Sequence, residues 1–249
     1  MLMRLLSAGL LAGVLAGVCV AALQEVTTTP LILKAETYEG QQPTTGQKHS
    51  SLKSYGGAPI ILAHSDHADV AAATDQSPAW APTDGLQRTL ATAVTTIGAA
   101  VGFGLMLLAL MLASNATITA PTAALWGAAG FVVTGLAPGL GLAPELPGSA
   151  AGDLLSRQMW WIATAAVTAS GLWVVWRSRS LGAVVGAIAL MAIPHVIGAP
   201  ATNDYTSTVP AELAAHFTST SLAVHAVLWI LVGTLAGFFW DRQTQRGIA

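Results

Sequence analysis

The chain has 249 residues, of which 53% are hydrophobic and only 9% are Asp, Glu, Lys or Arg. A soluble domain carries about 25% charged residues because its surface faces water, so this composition excludes an ordinary soluble globule. The net charge of −2 lacks the basic surface that binds nucleic acid. The single cysteine, Cys19, excludes an intramolecular disulfide and a multi-cysteine metal site. The composition therefore predicts an integral membrane protein in contact with the lipid bilayer.

Six charge-poor runs follow one another along the chain, and each predicts a membrane-spanning helix. They cover residues 1–23, 86–113, 121–137, 162–176, 181–199 and 213–240. A spanning helix needs about 20 apolar residues, which makes the third run a short candidate. We predict an all-α bundle of about six transmembrane helices with one long polar outer loop.

The distribution of arginines predicts the orientation of these spans. With the N-terminus in the cytoplasm, the cytoplasmic ends carry five arginines and one acid, whereas the other short loops are acidic. The chain then divides into a first span over 1–23, an acidic periplasmic loop over 24–85, a five-helix membrane domain over 86–240 and a cytoplasmic tail over 241–249. Residues 1–23 also fit a signal peptide, but their glycine ridge favours a retained anchor.

Small residues recur at four-residue intervals in several spans, which favours close helix packing over a substrate role. The recurring positions are Gly9, Gly13 and Gly17, then Gly98 and Gly102, Gly182 and Gly186, and Gly233 and Gly237.

The long outer loop carries seven acidic residues and three lysines, and it contains a compact cluster of histidines and aspartates. The cluster consists of His64, Asp66, His67 and Asp69. Two imidazoles and two carboxylates within six residues suit a borderline divalent cation such as cobalt, nickel or zinc. The alternative is a solvated polar linker whose histidines bind nothing.

The remaining candidate ligands lie in or beside the spans, where ionisable groups are costly and often functional. His195 follows Pro194, which frees a backbone carbonyl one turn earlier, although Pro194 could equally end the helix with His195 at the interface. Glu212 and His216 share one helix face and predict either a metal site or a local helix-start contact. His225 lies nine residues beyond His216, about 180° around the helix, so the two cannot share a site. For His225 the alternative is a neutral packed histidine bonded to Ser221 or to a neighbouring span.

Several nucleotide-binding and catalytic patterns are absent from the sequence. No lysine follows Lys53 and no Gly-Lys pair occurs, so a phosphate-binding P-loop is excluded. Neither HExxH nor G-x-S-x-G occurs. We therefore predict a protein that is not an enzyme and that draws any driving force from an ion gradient, the membrane potential or a partner.

Short segments spread over nearly the whole chain resemble the CbtA family of probable cobalt transporter subunits. They include Thr29-Pro30-Leu31-Ile32, Trp80-Ala81-Pro82-Thr83-Asp84-Gly85, Pro144-Glu145-Leu146-Pro147-Gly148, Arg157-Gln158-Met159-Trp160-Trp161, Pro194-His195 and Val209-Pro210-Ala211-Glu212-Leu213. The resemblance implies a multi-pass protein of the bacterial inner membrane that takes part in cobalt uptake linked to cobalamin supply. It also implies a small CbtB-like partner with one span. Pro194, His195, Glu145, Arg157 and Glu212 match the family pattern.

Three functions remain compatible with the sequence. The first is a subunit that conducts a divalent metal ion and binds no cofactor tightly. Its transient outer ligands would be His64, Asp66, His67 and Asp69, and the residues along its path would be Glu212, His216, His195 and His225. The second is a non-conducting subunit that senses metal or scaffolds a partner transporter. The third, a membrane enzyme, has only Glu145, Asp153 and Arg157 in its favour. The sequence leaves open a homo-oligomer.

Overall fold

A computed structural model describes residues 1–39, 82–149, 152–201 and 207–247, and within these ranges the regular elements are helices. In chain order they are α1 (Leu2–Val26), α2 (Thr28–Glu39), α3 (Leu86–Ala113), α4 (Ala120–Gly139), α5 (Leu154–Arg177), α6 (Leu181–Ile197) and α7 (Ala211–Gln245). The predicted all-α membrane bundle is confirmed.

Five of these helices, α1, α3, α4, α5 and α7, are long and apolar enough to cross a membrane. The sixth, α6, is apolar but has only 17 residues. The third predicted span corresponds to α4, whose 20 residues bring it to the length that a bilayer requires. The protein is therefore a multi-pass membrane protein.

The first and third helices of the bundle run antiparallel, as their contacts show. In α1 and α3, Gly9 lies against Leu105 and Gly17 lies against Ile97, so the two helices run in opposite directions. The N- and C-terminal ends meet at one end of the bundle, where Arg4 donates a hydrogen bond of 3.0 Å to Thr244 Oγ1. We call this the terminal end, and the opposite end, which carries α2, the α2 end.

Small residues bring α1 against α3 and α4 against α7, because a side chain at these positions would overlap the facing backbone. A Cβ at Gly17 would lie 2.6 Å from Ile97 Cα, and a Cβ at Gly13 would overlap Val101 Cα. In α7, Gly233 lies against the backbone of Ala123. Such close approach gives helices in lipid their van der Waals attraction. The packing interpretation is thus confirmed for the glycine ridges of α1 and α7.

Among the described residues, a Cβ added at Gly98, Gly102 or Gly186 would meet nothing within 4 Å, and one at Gly182 would meet only Ser180 Oγ at 3.8 Å, so the packing prediction for these glycines finds no support within this part of the chain. In α3 the buried small residues are instead Ala100 and Gly104, which lie on the face toward α1 and α7. Gly98 and Gly102 have the right spacing but belong to the outer face of the helix.

The core of the bundle surrounds α7. Trp229 is only 2% exposed, and its indole stacks on Phe103 of α3 with ring centroids 4.7 Å apart. α1, α3, α4 and α7 share this core, and we call them the inner unit. α5 and α6 form a hairpin that packs mainly on itself. It meets the inner unit through α4, at the last turns of that helix and at Trp126, which contacts Trp173 and Trp176 of α5.

The first part of the predicted outer loop is helical, which the sequence analysis did not predict. α2 lies over the start of α7, where Ala35 packs with Leu213 and Phe217. Arg88 at the start of α3 forms a two-pronged ion pair with Glu36, whose Nη1–Oε2 distance is 3.0 Å, and contacts Asp84 at 3.3 Å. These contacts stabilise a helix that local sequence alone does not specify.

Candidate functional site

The candidate residues of the outer loop, His64, Asp66, His67 and Asp69, lie outside the described residues. Metal capture by this cluster therefore stays a prediction. The other four candidates occupy three separate places in the bundle.

His225 lies within α7 and points at α4. Its Nε2 accepts a hydrogen bond of 2.9 Å from Trp229 Nε1 and lies 3.1 Å from Thr134 Oγ1. An indole N–H can only donate, so Nε2 must be unprotonated and the neutral ring carries its proton on Nδ1. The partners of His225 are a residue of its own helix and one of a neighbouring span.

The segment of α4 opposite His225 departs from α-helical geometry. Residues Val132–Leu136 form a π-helix, and Ala137 N–H bonds to the Val132 carbonyl. A Cβ at Gly135 would lie 2.8 Å from His225 Cδ2, so glycine allows the imidazole to approach the backbone. Pro138 follows directly and has no N–H, which leaves one carbonyl of the preceding turn without its usual donor. π-segments within α-helices occur frequently at functional sites.

A cavity of about 290 Å³ adjoins this segment. Its walls include Trp161 of α5 and other apolar side chains, three polar side chains, and two glycines whose backbone faces the cavity. The polar residues and glycines are Thr134, Ser221, His225, Gly135 and Gly139. Irregular backbone at membrane depth is tolerated where it is buried in protein or lines a wet cavity. The site can therefore offer a polar ligand hydroxyl groups, a backbone carbonyl and one imidazole.

Glu212 and His216 line a second cavity of about 380 Å³ at the α2 end, between α2 and the start of α7. Lys34 and Tyr38 of α2 line the same cavity. An ammonium group near a carboxylate and an imidazole competes with any other cation for them. Glu212 also lies in the first turn of α7, where the helix dipole stabilises a carboxylate.

His195 lies in the last turn of α6, inside the helix rather than beyond its end. Its ring meets the Trp160 indole edge to face with centroids 5.9 Å apart. Trp160 Nε1 donates a hydrogen bond of 3.3 Å to the Pro194 carbonyl. Pro194 itself lies within α6, which ends three residues later at Ile197 and is followed by the C-cap Gly198 with φ of 89°.

The structure does not bring these candidates together. His225 faces α4, His216 and Glu212 face α2, and His195 faces α5. In the part of the chain that the structure describes, no three His, Cys, Asp or Glu side chains lie close enough to hold a metal ion. His216 and His225 line different cavities, in agreement with their predicted positions on opposite faces of the helix.

The family model of probable cobalt transporter subunits (CbtA) matches residues 2–241, which is nearly the whole chain. The chain belongs to the CbtA family. No curated protein and no solved structure matches it.

Two features of this CbtA-family chain were missed by the sequence analysis. The first is Thr134 with Gly135, which form the wall opposite His225. Their signal was present as a polar residue and a glycine inside an apolar run that ends in Ala137-Pro138. The second is Trp229, whose indole fixes the tautomer of His225 from one helical turn away.

The family positions Glu145 and Arg157 form an ion pair of 2.7 Å at the α2 end. It joins the start of α5 to the connection that follows α4. At the same end, hydrogen bonds from the backbone and then the side chain of Ser156 lower the pKa of Asp153, the N-cap of α5. In this CbtA-family chain both contacts fix the start of the α5–α6 hairpin.

Proposed function

We propose that the chain is the membrane subunit of a divalent-metal uptake system and that cobalt is its cargo. In this proposal it lies in the bacterial inner membrane with both termini in the cytoplasm and works beside a small CbtB-like subunit. The family supports the coarse role, and the meeting of both chain ends at the terminal end of the bundle supports an even number of spans.

The proposal depends most on one observation. A half-buried ionisable side chain, a π-helical backbone segment and a partly open cavity of about 290 Å³ coincide at His225 and Thr134, where α4 meets α7. Each of these features is unfavourable in lipid unless a polar ligand or water meets it. Imidazole nitrogen is also a ligand that cobalt and nickel bind well.

The tautomer of His225 defines how a metal ion could bind there. Trp229 holds Nε2 as an acceptor, so the metal must approach Nδ1 after its proton has left. Metal bound at Nδ1 moves the ring proton to Nε2, which then donates to Thr134 Oγ1 and loses the bond from Trp229. Metal uptake at this position should therefore release a proton or transfer it within the ring.

Cobalt flux into liposomes tests this proposal. The purified chain is reconstituted with and without its partner subunit, and a cobalt-quenched dye inside the vesicles reports entry. We expect His225→Ala to lower the initial rate at least tenfold. Thr234→Val is the matched control, because Thr234 lies on the same helix and, among the described residues, its hydroxyl donates to the Ile230 carbonyl of its own helix.

Flux that is unchanged in His225→Ala would show that the path does not pass His225. Flux that requires no protein would remove the proposal altogether.

A non-conducting subunit that senses metal or scaffolds a partner is the second candidate. It is favoured by the separation of the candidate ligands into three places and by Lys34 in the cavity of Glu212 and His216. Cobalt binding without flux in the same vesicles, with or without the partner, would support it.

A further inference from the structure

Two buried hydroxyl groups in α5 have no hydrogen-bond partner. Thr164 is 0% exposed and Thr168 is 2% exposed, and neither Oγ1 contacts a donor or acceptor in the described part of the chain. An unpaired hydroxyl in an apolar environment costs about 1–3 kcal/mol, so it calls for a physical reason.

Other hydroxyl side chains in these helices avoid this cost by donating to the carbonyl four residues earlier. Such bonds are made by Thr27, Thr95, Thr134, Ser170, Thr234 and Thr244. Thr164 and Thr168 could do the same with the carbonyls of Trp160 and Thr164, but they do not. Their hydroxyl groups are thus turned away from their own helix backbone.

Contacts on either side place the two threonines opposite the middle of α6. Gly171 packs against Met191 and lies near the Ala187 carbonyl, while Trp160 bonds to the Pro194 carbonyl. Thr164 and Thr168 lie between these two contacts along α5, on the same helix face as Gly171. They therefore face the stretch of α6 between Ala187 and Pro194.

This stretch of α6 contains a backbone carbonyl without its usual donor. Pro194 has no N–H, so the Leu190 carbonyl cannot make its i to i+4 bond. That carbonyl points along the helix toward the Pro194 ring, and Pro194 is buried on the side that faces α5. The two threonine hydroxyls have no partner and the Leu190 carbonyl has lost its usual donor, and by helix geometry all three lie along the α5–α6 interface.

We propose that Thr164 Oγ1, Thr168 Oγ1 and the Leu190 carbonyl form a binding site for a monovalent alkali cation. Hard cations prefer oxygen ligands, whereas cobalt and related metals favour nitrogen and sulfur. All three ligands are uncharged, which suits a single positive charge in a low-dielectric interior better than two. Carbonyls freed by broken helices coordinate sodium in other secondary transporters.

Binding of an alkali cation at this site does not depend on the proposed function. Only the role of the site in coupling cation movement to metal uptake rests on that function. The chain lacks a phosphate-binding P-loop, so uphill uptake would need an ion gradient or a partner. An alkali cation that binds between α5 and α6 on its way down its gradient would couple that gradient to metal uptake.

Thermal unfolding of the purified full chain in matched sodium, potassium and choline chloride tests the site, with no cobalt present. A ligand that binds only the folded state raises Tm, so we expect a rise of a few degrees in sodium or potassium relative to choline. Thr164→Val with Thr168→Val should abolish this difference. Thr164→Ser with Thr168→Ser keeps both oxygens and should retain it, as should the control Thr234→Val.

Equal Tm in all three salts for the wild-type chain would overturn the site, and so would an alkali effect that survives the double valine variant. The first result would mean that the hydroxyls are satisfied by water or remain unpaired. If the double variant does not fold, Thr168→Val alone takes its place. Because no cobalt is used, failure here leaves the cobalt proposal standing, and loss of cobalt flux leaves this result unchanged.

Discussion

The inner unit and the α5–α6 hairpin solve the problem of packing in lipid in different ways. In the inner unit, glycines let backbones touch, and in the apolar windows of α1 and α7 39% of the residues are buried. The share is 17% in α5 and also in α4 of the inner unit, so the two regions differ in their contacts rather than in this share. The interface of α5 with α6 holds threonines and a proline instead of a continuous glycine ridge. Close van der Waals contact stabilises the first region, whereas polar atoms lie unpaired in the second.

This difference indicates which part of the molecule is free to change. A packed glycine ridge has one arrangement of lowest energy, because each side chain fits a specific backbone gap. An interface with unpaired oxygen atoms gains energy from a ligand or from a shift that pairs them. We therefore expect the inner unit to act as the fixed frame and the hairpin to respond to ligands.

The largest effect should come from Gly13→Ala, which breaks the contact between α1 and α3. The new Cβ would overlap Val101 Cα, and overpacking of this kind costs about 1–3 kcal/mol. Gly98→Ala is the matched control, because its Cβ meets nothing within 4 Å among the described residues and alanine favours a helix over glycine by about 0.5–1 kcal/mol. Denaturant unfolding in detergent measures both. A Gly13→Ala chain as stable as the wild type would contradict the backbone contact.

Thr134→Val should have a smaller effect, because it removes a paired hydroxyl from the inner unit. Thr134 Oγ1 donates to the Gly130 carbonyl and contacts His225 Nε2, and such a buried bond contributes about 0.5–1.5 kcal/mol. In choline chloride, Thr164→Val in the hairpin should instead raise stability, because its hydroxyl has no partner. Opposite signs in the two regions are the expected result. The same sign for both variants would mean that Thr164 is paired as well as Thr134 is.

The sequence predicts the spans well and the interior contacts poorly, for a physical reason. A run without charges over residues 86–113 reflects the cost of charge in lipid, so α3 follows from composition alone. The nine-residue spacing of His216 and His225 likewise places them on opposite helix faces. The pairing of His225 with Thr134, 91 residues away, depends on how α4 packs against α7, and no local pattern contains that information.

Two further features escape the sequence for related reasons. α2 was missed because its residues are mixed in polarity, and it is stabilised by distant partners such as Leu213 and Arg88. The unpaired state of Thr164 is a matter of side-chain orientation within an interface, whereas the sequence shows only a threonine in an apolar run. The metal cluster of His64, Asp66, His67 and Asp69 stays a prediction.

Ion pairs at the α2 end allow the two regions to be compared directly. Arg88 holds Glu36 with both guanidinium nitrogens, whereas Arg157 holds Glu145 through one bond of 2.7 Å. Double-mutant cycles with alanine, measured by denaturant unfolding, should give a coupling free energy of about 1 kcal/mol for Arg88–Glu36 and less for Arg157–Glu145. The first coupling is larger because that pair is bidentate, and both are small because the side chains are partly exposed and screened by solvent. A stronger coupling for Glu145 would mean that the hairpin is held as firmly as the inner unit.

The smallest effect concerns the start of the hairpin and depends on pH. Because the folded-state pKa of Asp153 lies below its ordinary value of 3.8, its cap stabilises α5 above that value and is lost as the pH falls through the lower folded pKa. Asp153→Asn keeps a capping oxygen that does not titrate, so its Tm should fall less between neutral and acidic pH than that of the wild type. Ser180→Ala removes the uncharged cap of α6 and should lower Tm equally at both pH values. A fall in Tm at acidic pH that is as large in Asp153→Asn as in the wild type would contradict this prediction. The acid sensitivity would then come from other carboxylates and not from the cap of α5.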